Sequence, residues 1–291
     1  MNTIETLSVS SWAGPFGEGE RRDAVGALEG GRVLFFPELP FVLRAEELAL
    51  LTPSLSSERA KNISLDPDGA LKHETGSADE RALLQAMMQR FAAGAVSLVS
   101  GMFPNYAEKL ERARTSYRPS EIAGRQYSPV HDDTRLHIDA FPTRPMRGRR
   151  ILRLFSNIHA GNLPRVWNVG EPFPDMAGKI LPHVKTPPAF QSWINFLTHP
   201  ANGLRSRYDN LMLGLHDTAK LDMDYQNASA KTEIAFPPRT TWLCYTDQVM
   251  HAALSGQFVL EQTFHLDIDA MADPARAPIR VLEKMTGRAL A

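Results

Sequence analysis

From about Ser116 onward, the sequence consists of short runs of alternating residue types that proline and glycine interrupt. The clearest run lies near the end, where every second residue from Phe258 to Leu266 would share one face of a strand. This alternation predicts a half-buried strand at 257–267. Further strands are expected at 123–127, 134–140, 150–158, 163–169 and 240–245, so the C-terminal part is predicted to be β-rich.

The N-terminal part carries helical signals instead. A capping box at Ser77–Glu80 precedes apolar residues at helical spacing, which predicts a long helix from about Asp79 to Met102. Further helices are expected at 44–51, 106–114, 189–198 and 204–213, and the compact run 32–37 reads as a short buried strand. We therefore predict one domain over 1–291: a mainly helical part at about 1–115, a β core at about 116–270 with a helical insert at about 175–225, and a tail at 271–291.

Composition restricts the class of protein. The net charge of -1 predicts no general attraction to nucleic acid. Between Glu111 and Arg153, however, the sequence contains ten arginines and only five acidic residues. That local excess suits an anionic small molecule or head group. Cys244 is the only cysteine, which excludes an internal disulfide and fits a reducing compartment. The N-terminus does not resemble a signal peptide, and the apolar stretch Phe91–Phe103 is shorter than the roughly 20 residues of a membrane span. We expect a cytoplasmic protein, with peripheral contact at the inner-membrane face left open.

The pair His137 and Asp139 carries the strongest chemical signal. In a strand, residues two apart point to the same face, so both side chains could bind one metal ion. A mononuclear iron(II) site needs a third ligand and open positions for a co-substrate and dioxygen. In a double-stranded β-helix this ligand lies near a late strand, which favours His251 and leaves His265 as the second choice.

The run HIDAFPTRPMRGRRILRLFSNI, from His137 to Ile158, resembles the bacterial Kdo hydroxylases. The likeness extends to SSWAGPF near the start, KNISLDPDG, and TDQVMHAALSGQFVLEQTF near the end, so it covers most of the chain. This resemblance implies a double-stranded β-helix (jelly-roll) core and an iron(II)- and 2-oxoglutarate-dependent dioxygenase. It also implies hydroxylation at C3 of Kdo (3-deoxy-D-manno-oct-2-ulosonic acid) in a Kdo-lipid A acceptor.

The co-substrate carboxylate needs a fixed cation, and the guanidinium fork of arginine suits it. No arginine occurs from Ala252 to Asp273, where many enzymes of this superfamily place one, so the strand after His137 and Asp139 is the expected source. Arg153 is the candidate, with Asn157 on the same strand face, and Arg150 on the opposite face is the alternative.

Other arginines are candidates for the substrate. Arg114, Arg118 and Arg125, together with Arg150, could bind the sugar carboxylate or lipid A phosphates. No catalytic residue beyond the metal ligands is predicted.

Two alternatives remain open from the sequence. One is a JmjC-like protein hydroxylase of the same superfamily, and another is a cupin-like protein that binds an anionic sugar without chemistry. A zinc hydrolase is disfavoured because no HExxH or HxxEH motif occurs.

Overall fold

The computed structural model describes residues 2–57, 60–125, 127–185 and 205–290. Within them, eleven strands form one eight-stranded and one three-stranded sheet. The strands are β1 (Ile4–Thr6), β2 (Val33–Phe36), β3 (Ile63–Leu65), β4 (Leu71–Lys72), β5 (Leu110–Arg118), β6 (Arg150–Asn157), β7 (Arg165–Gly170), β8 (Lys231–Phe236), β9 (Thr241–Tyr245), β10 (His251–Ser255) and β11 (Val259–Leu266). The large sheet has the order β1-β2-β9-β6-β11-β5-β3-β4 and the small sheet β10-β7-β8.

Six α-helices lie in the described residues: α1 (Glu18–Glu29), α2 (Ala78–Met102), α3 (Phe173–Ile180), α4 (Arg207–Leu221), α5 (Met223–Ala228) and α6 (Pro278–Thr286). The protein is therefore a mixed α/β fold built on a large sheet. The helix predicted at 204–213 corresponds to α4, and the predicted short helix at 44–51 is a 3₁₀ helix over Glu46–Leu50. The helix predicted at 189–198 lies outside the described residues.

Helix α2 confirms the sequence prediction. Its capping box is present, because Glu80 N donates to Ser77 Oγ at 3.3 Å and Ser77 N donates to Glu80 Oε2 at 2.8 Å. One face of the helix is buried in the main core. Of the described helices, only α2 is long and apolar enough to span a membrane, a test that the core helix of a soluble protein also passes.

Strand β6 places its alternate residues in two different environments. Leu152 and Leu154 belong to the main core, whereas Phe155 belongs to a second apolar cluster that includes residues of both sheets. Arg153 is two residues from Phe155 and shares its face. It lies opposite Thr263 of β11 and Cys244 of β9, so it faces the space between the sheets.

The second apolar cluster closes part of the space between the two sheets. Trp242 of the large sheet stacks on Phe236 of the small sheet, with ring centroids 4.2 Å apart. Trp167 of β7 contacts Trp242 edge to face at 5.7 Å. Such pairs hold the facing sheets at a fixed spacing.

The prediction that the last strand is half-buried is wrong. Every residue of β11 is buried, because one face packs in the main core and the other faces the space between the sheets. The alternation of apolar and polar residues in β11 therefore reflects two buried faces of different polarity, not one buried face and one exposed to solvent.

The helix predicted at 106–114 is also wrong. Residues 110–118 form β5, which pairs with β11 on one side and β3 on the other, so tertiary pairing overrides local propensity. The segment 134–140 is irregular and makes only an isolated bridge at His137, and residues 123–125 and 127 are not in a strand. The first 118 residues also supply five strands, so a mainly helical N-terminal part is an incomplete description.

Candidate metal centre

Three ligand-bearing side chains converge between the sheets. His137, Asp139 and His251 each offer one atom, and these atoms all lie within 4.8 Å of one another. Backbone pairing fixes the arrangement: His137 N donates to His251 O at 3.0 Å and His251 N donates to His137 O at 2.9 Å. Asp139 N donates to Thr246 O at 2.7 Å, which holds the third residue against the turn after β9.

Both imidazoles are oriented by their backbone contacts. His137 Nδ1 lies 2.7 Å from Arg135 O, and His251 Nδ1 lies 2.8 Å from Val249 O. A carbonyl oxygen only accepts, so Nδ1 carries the proton in each ring and Nε2 keeps its lone pair. Burial lowers the pKa of both histidines, which favours the neutral form that a metal requires.

The carboxyl group of Asp139 is ionised. Burial by itself raises its pKa, but the charge of nearby Arg153 opposes this effect, and the pKa lies below its usual value. Two neutral imidazoles and one carboxylate that face one another are the donor set of a non-haem iron(II) site with open positions. The residues present thus fit such an ion.

Arg153 connects this cluster to a chain of alternating charges. Its Nη1 lies 3.0 Å from Asp139 Oδ2, and its Nε lies 3.5 Å from Glu261 Oε1. Glu261 also pairs with Arg118, whose Nη2 is 2.8 Å from Oε2. Burial by itself raises the pKa of Glu261. The charges of Arg118 and Arg153 lower it by more, so the pKa lies below its usual value. Each charge in this buried row therefore has a neighbour of opposite sign.

A cavity of about 520 Å³ opens beside the row, in the size range of small-molecule sites. Its cationic lining comprises Lys61, Arg114, Arg118, Arg144 and Arg153. A second cavity of about 500 Å³ has Ala113, Arg114, Arg144 and His265 in common with the first. The predicted residues Arg114, Arg118 and Arg153 are thus brought to one polar cavity next to the metal-ligand cluster.

Arg150 is not available to a ligand. Its guanidinium is fully buried, pairs with Asp247 at 2.8 Å, donates to Gln248 Oε1 at 2.7 Å and lies over the Tyr245 ring. The prediction of Arg150 as a substrate residue, or as the co-substrate anchor, is therefore corrected. The physical reason is strand geometry, because the odd step from Arg153 turns Arg150 to the other face of β6.

Asn157 and Arg125 also lie away from the large cavity. The Asn157 amide donates to Leu163 O and Phe236 O at 3.2 and 3.1 Å and accepts from His159 N at 3.1 Å, so the backbone occupies its hydrogen-bonding groups. Arg125 donates to Tyr127 Oη at 2.9 Å and lines a small pocket that shares Lys61 and Arg118 with the first cavity. Asn157 is thereby a structural residue, and Arg125 lines no part of either large cavity.

Sequence reasoning missed three residues of the site. Glu261 shares its strand face with Thr263 and His265, so the alternation of β11 contained a signal for its inward position. The indole of Trp167 stacks on His251, with ring centroids 5.1 Å apart, and supports that ring from β7. Lys61 comes from a loop far away in sequence, and no local pattern indicates its place.

Comparisons with known proteins agree with this geometry. A family model described as 3-deoxy-D-manno-oct-2-ulosonic acid (Kdo) hydroxylase matches residues 12–289. Among solved structures, the chain is similar to the Kdo hydroxylase KdoO, a non-haem Fe(II) α-ketoglutarate-dependent dioxygenase, in complex with α-ketoglutarate and Fe(III). The identity is 42%, 99% of this chain and 97% of that chain are covered, and the TM-score is 0.95. The cobalt(II) complex of KdoO gives 43% identity, the same coverages and a TM-score of 0.96. No curated protein matches the chain.

Proposed function

The chain belongs to the Kdo hydroxylase family, and we propose that it hydroxylates C3 of Kdo in a Kdo-lipid A acceptor. It is an Fe(II)- and 2-oxoglutarate-dependent dioxygenase. The observation that carries the proposal is the cluster of His137, Asp139 and His251 beside a cationic cavity, in a chain that matches the family over 12–289. The same family match favours a sugar acceptor over the protein substrate of a JmjC-like hydroxylase.

We assign Fe(II) to the Nε2 atoms of His137 and His251 and a carboxylate oxygen of Asp139. When bound, the iron with 2-oxoglutarate and dioxygen supplies the oxidation: the co-substrate leaves as succinate and carbon dioxide, and one oxygen atom enters the C–H bond. The protein contributes binding and orientation around that chemistry. The backbone acceptors at Arg135 and Val249 keep both imidazoles in the ligating tautomer.

Arg153 is our assignment for a carboxylate of 2-oxoglutarate. Its guanidinium lies between Asp139 and the cavity, and its planar fork can pair with a carboxylate through two parallel hydrogen bonds. Glu261 fixes Arg153 and Arg118 on either side of itself, which leaves the outward nitrogen atoms for ligands. Arg118 and Arg114 are assigned to the sugar carboxylate, because both line the same cavity.

We further propose that the two sheets are the two sides of a double-stranded β-helix. Strands β5-β11-β6-β9 form the centre of one side, and β10-β7-β8 form the other. His137 makes an isolated bridge to β10 and so takes the place of a fourth strand beside the small sheet. The main apolar core contains residues from Leu7 to Leu290, which supports one domain over the chain. We propose that the enzyme is cytoplasmic, with peripheral contact at the inner-membrane face left open, and the free, buried Cys244 is compatible with a reducing compartment.

The direct test is turnover by purified protein supplied with iron(II), 2-oxoglutarate and a Kdo-bearing lipid A precursor. We expect stoichiometric succinate and a sugar mass increased by one oxygen atom. His137→Ala and Asp139→Ala should abolish both products while the circular dichroism spectrum stays native, because each removes one of three ligands. His183→Ala, at an exposed histidine outside the site, is the matched control. Succinate without any sugar product would exclude Kdo as the substrate, and full turnover in both ligand variants would refute the metal assignment.

A further inference from the structure

The two cavities meet at Arg144, a cation that has no hydrogen-bond or ion-pair partner among the described residues. Arg144 lines both, and neither a hydrogen bond nor an ion pair joins its guanidinium to any residue in the described ranges. The other four cations of the first cavity all have acidic partners: Lys61 pairs with Asp133, Arg114 with Asp66, Arg118 with Glu261, and Arg153 with Asp139 and Glu261. Among the described residues, Arg144 is therefore the cation of the first cavity whose charge is left for a ligand.

His265 lies at the same junction and is also unsatisfied. It lines both cavities, its side chain is only 8% exposed, and its Nδ1 makes no hydrogen bond within the described part of the chain. The nearest carboxylate oxygen, Glu111 Oε1, is 3.9 Å away and therefore beyond hydrogen-bond reach. A buried polar atom without a partner is costly, so a ligand that supplies one gains affinity there.

The surrounding charges favour an anion over a cation at this point. The second cavity is lined by Arg112, Arg114, Arg144 and Arg149 against Asp66, Asp68 and Glu111. Arg114 pairs with Asp66 and Arg149 with Glu111, while Arg112 Nη2 donates to Pro67 O at 2.7 Å. Burial and the adjacent Arg149 lower the pKa of His265 to about 4, so its ring is neutral at pH 7 and can donate one N–H to an oxyanion.

We propose that Arg144 and His265 form a second anion-binding subsite, distinct from the metal-ligand cluster. It takes an oxyanion of the acceptor other than the carboxylate of the sugar that is hydroxylated. The inference rests on the proposed function, because one acceptor must reach both Arg118, assigned to its sugar carboxylate, and Arg144, and both residues line the same cavity. Two groups have this chemistry: a phosphate monoester on the lipid A disaccharide and the carboxylate of a second Kdo unit.

The first experiment measures KM with matched acceptors, namely Kdo-lipid A with its phosphates, the same molecule after dephosphorylation, and the form with two Kdo units. Arg144→Gln should raise KM about tenfold for the acceptor that carries the bound group, equivalent to about 1.4 kcal/mol, and leave KM for 2-oxoglutarate unchanged. Removing that group from the acceptor should raise KM for the wild type but not for the variant. If dephosphorylation of the acceptor raises KM for the wild type but not for Arg144→Gln, the ligand is a phosphate. If loss of the second Kdo unit has this effect instead, the ligand is a carboxylate.

Arg22→Gln is the matched control, because it removes an exposed guanidinium on α1 that lines neither cavity. His265→Gln should reproduce part of the Arg144→Gln effect. An equal rise of KM for all acceptors in Arg144→Gln, or no rise for any, overturns the subsite.

A second experiment does not depend on turnover. Inorganic phosphate, followed by the broadening of its ³¹P resonance, should bind the wild type and Arg22→Gln but not Arg144→Gln. If the wild type binds phosphate in this way but hydroxylates no Kdo acceptor, the subsite stands and the proposed function fails. If Arg144→Gln binds phosphate as the wild type does and its acceptor KM values are unchanged, the subsite is refuted.

Discussion

At the scale of single residues, Arg153 lies between the metal-ligand cluster and the large cavity. It contacts Asp139 on one side and Glu261 on the other, and its remaining surface faces the cavity. A lysine could supply the charge but not the planar fork that spans two carboxylates and still reaches a third.

We predict that Arg153→Met raises KM for 2-oxoglutarate about 10- to 100-fold, because a charge-assisted hydrogen bond contributes roughly 1.5–3 kcal/mol. The KM of Arg153→Lys for 2-oxoglutarate should lie between those of Arg153→Met and the wild type. Steady-state succinate formation at varied 2-oxoglutarate provides the measurement, with Arg22→Gln as control. An unchanged KM in Arg153→Met would show that another group binds the co-substrate.

His265 should make stability depend on pH. Its folded pKa of about 4 lies below the ordinary histidine value of 6.5, so between these values the unfolded chain binds a proton that the folded chain does not. The contribution is fully present above pH 6.5 and is lost as the pH falls toward 4. We predict that, between pH 7 and pH 5, the wild type loses about 2 kcal/mol more unfolding free energy than His265→Gln.

Urea titrations of the two metal-free proteins at both pH values test this prediction. Parallel losses in the two proteins would contradict it. The comparison cancels the effect of other titrating groups, including the two histidines of the metal-ligand cluster.

At the scale of elements, two helical glycines differ in how closely their surroundings are packed. Gly26 in α1 and Gly101 in α2 are both helical, and a Cβ added at Gly26 would meet nothing within 4 Å. A Cβ at Gly101 would lie 2.8 Å from the Phe16 ring. The same substitution should therefore have opposite effects at the two positions.

We predict that Gly26→Ala raises the free energy of unfolding by about 0.5–1 kcal/mol through lower chain entropy. Gly101→Ala should lower it by roughly 1–3 kcal/mol, because the ring must move in a packed core. Chemical denaturation of both variants measures these free energies of unfolding. A higher value for Gly101→Ala than for the wild type would contradict the prediction and mean that the Phe16 ring shifts freely.

The elements also show where local patterns suffice. Helix α2 was predicted to within a residue, because a capping box and a repeated apolar stripe lie within its own sequence. Strand β5 was predicted as a helix at its start, since its identity comes from pairing with β11, about 150 residues later.

At the scale of the whole molecule, the metal should add to stability. His137 and His251 come from segments that meet only in the folded chain, so an ion held by both binds the native state preferentially. At an ion concentration 100 times its dissociation constant, the gain is about 2.7 kcal/mol.

We predict that chelation of the metal lowers the melting temperature of the wild type by roughly 4–5 °C. His251→Ala should show no such response, since one of the three ligands is gone. Differential scanning calorimetry with and without chelator measures the shift, and an equal response in both proteins would place the ion elsewhere.

The sequence by itself determined the features whose signals are local. It gave the residue pair His137 and Asp139 from a two-residue spacing, helix α2 from its own periodicity, and Arg153 over Arg150 from strand parity. The resemblance of HIDAFPTRPMRGRRILRLFSNI added the family, which a match over 12–289 then established.

Only the tertiary structure decided which distant groups face one another. It brought His251 to His137 by a backbone bridge, paired Arg150 with Asp247 in the core, and aligned Glu261 between Arg118 and Arg153. The reason is physical: a charged side chain is stabilised by partners within a few ångströms, and sheet register places such partners next to each other. These contacts join residues up to about 140 positions apart, where no local pattern in the sequence records them.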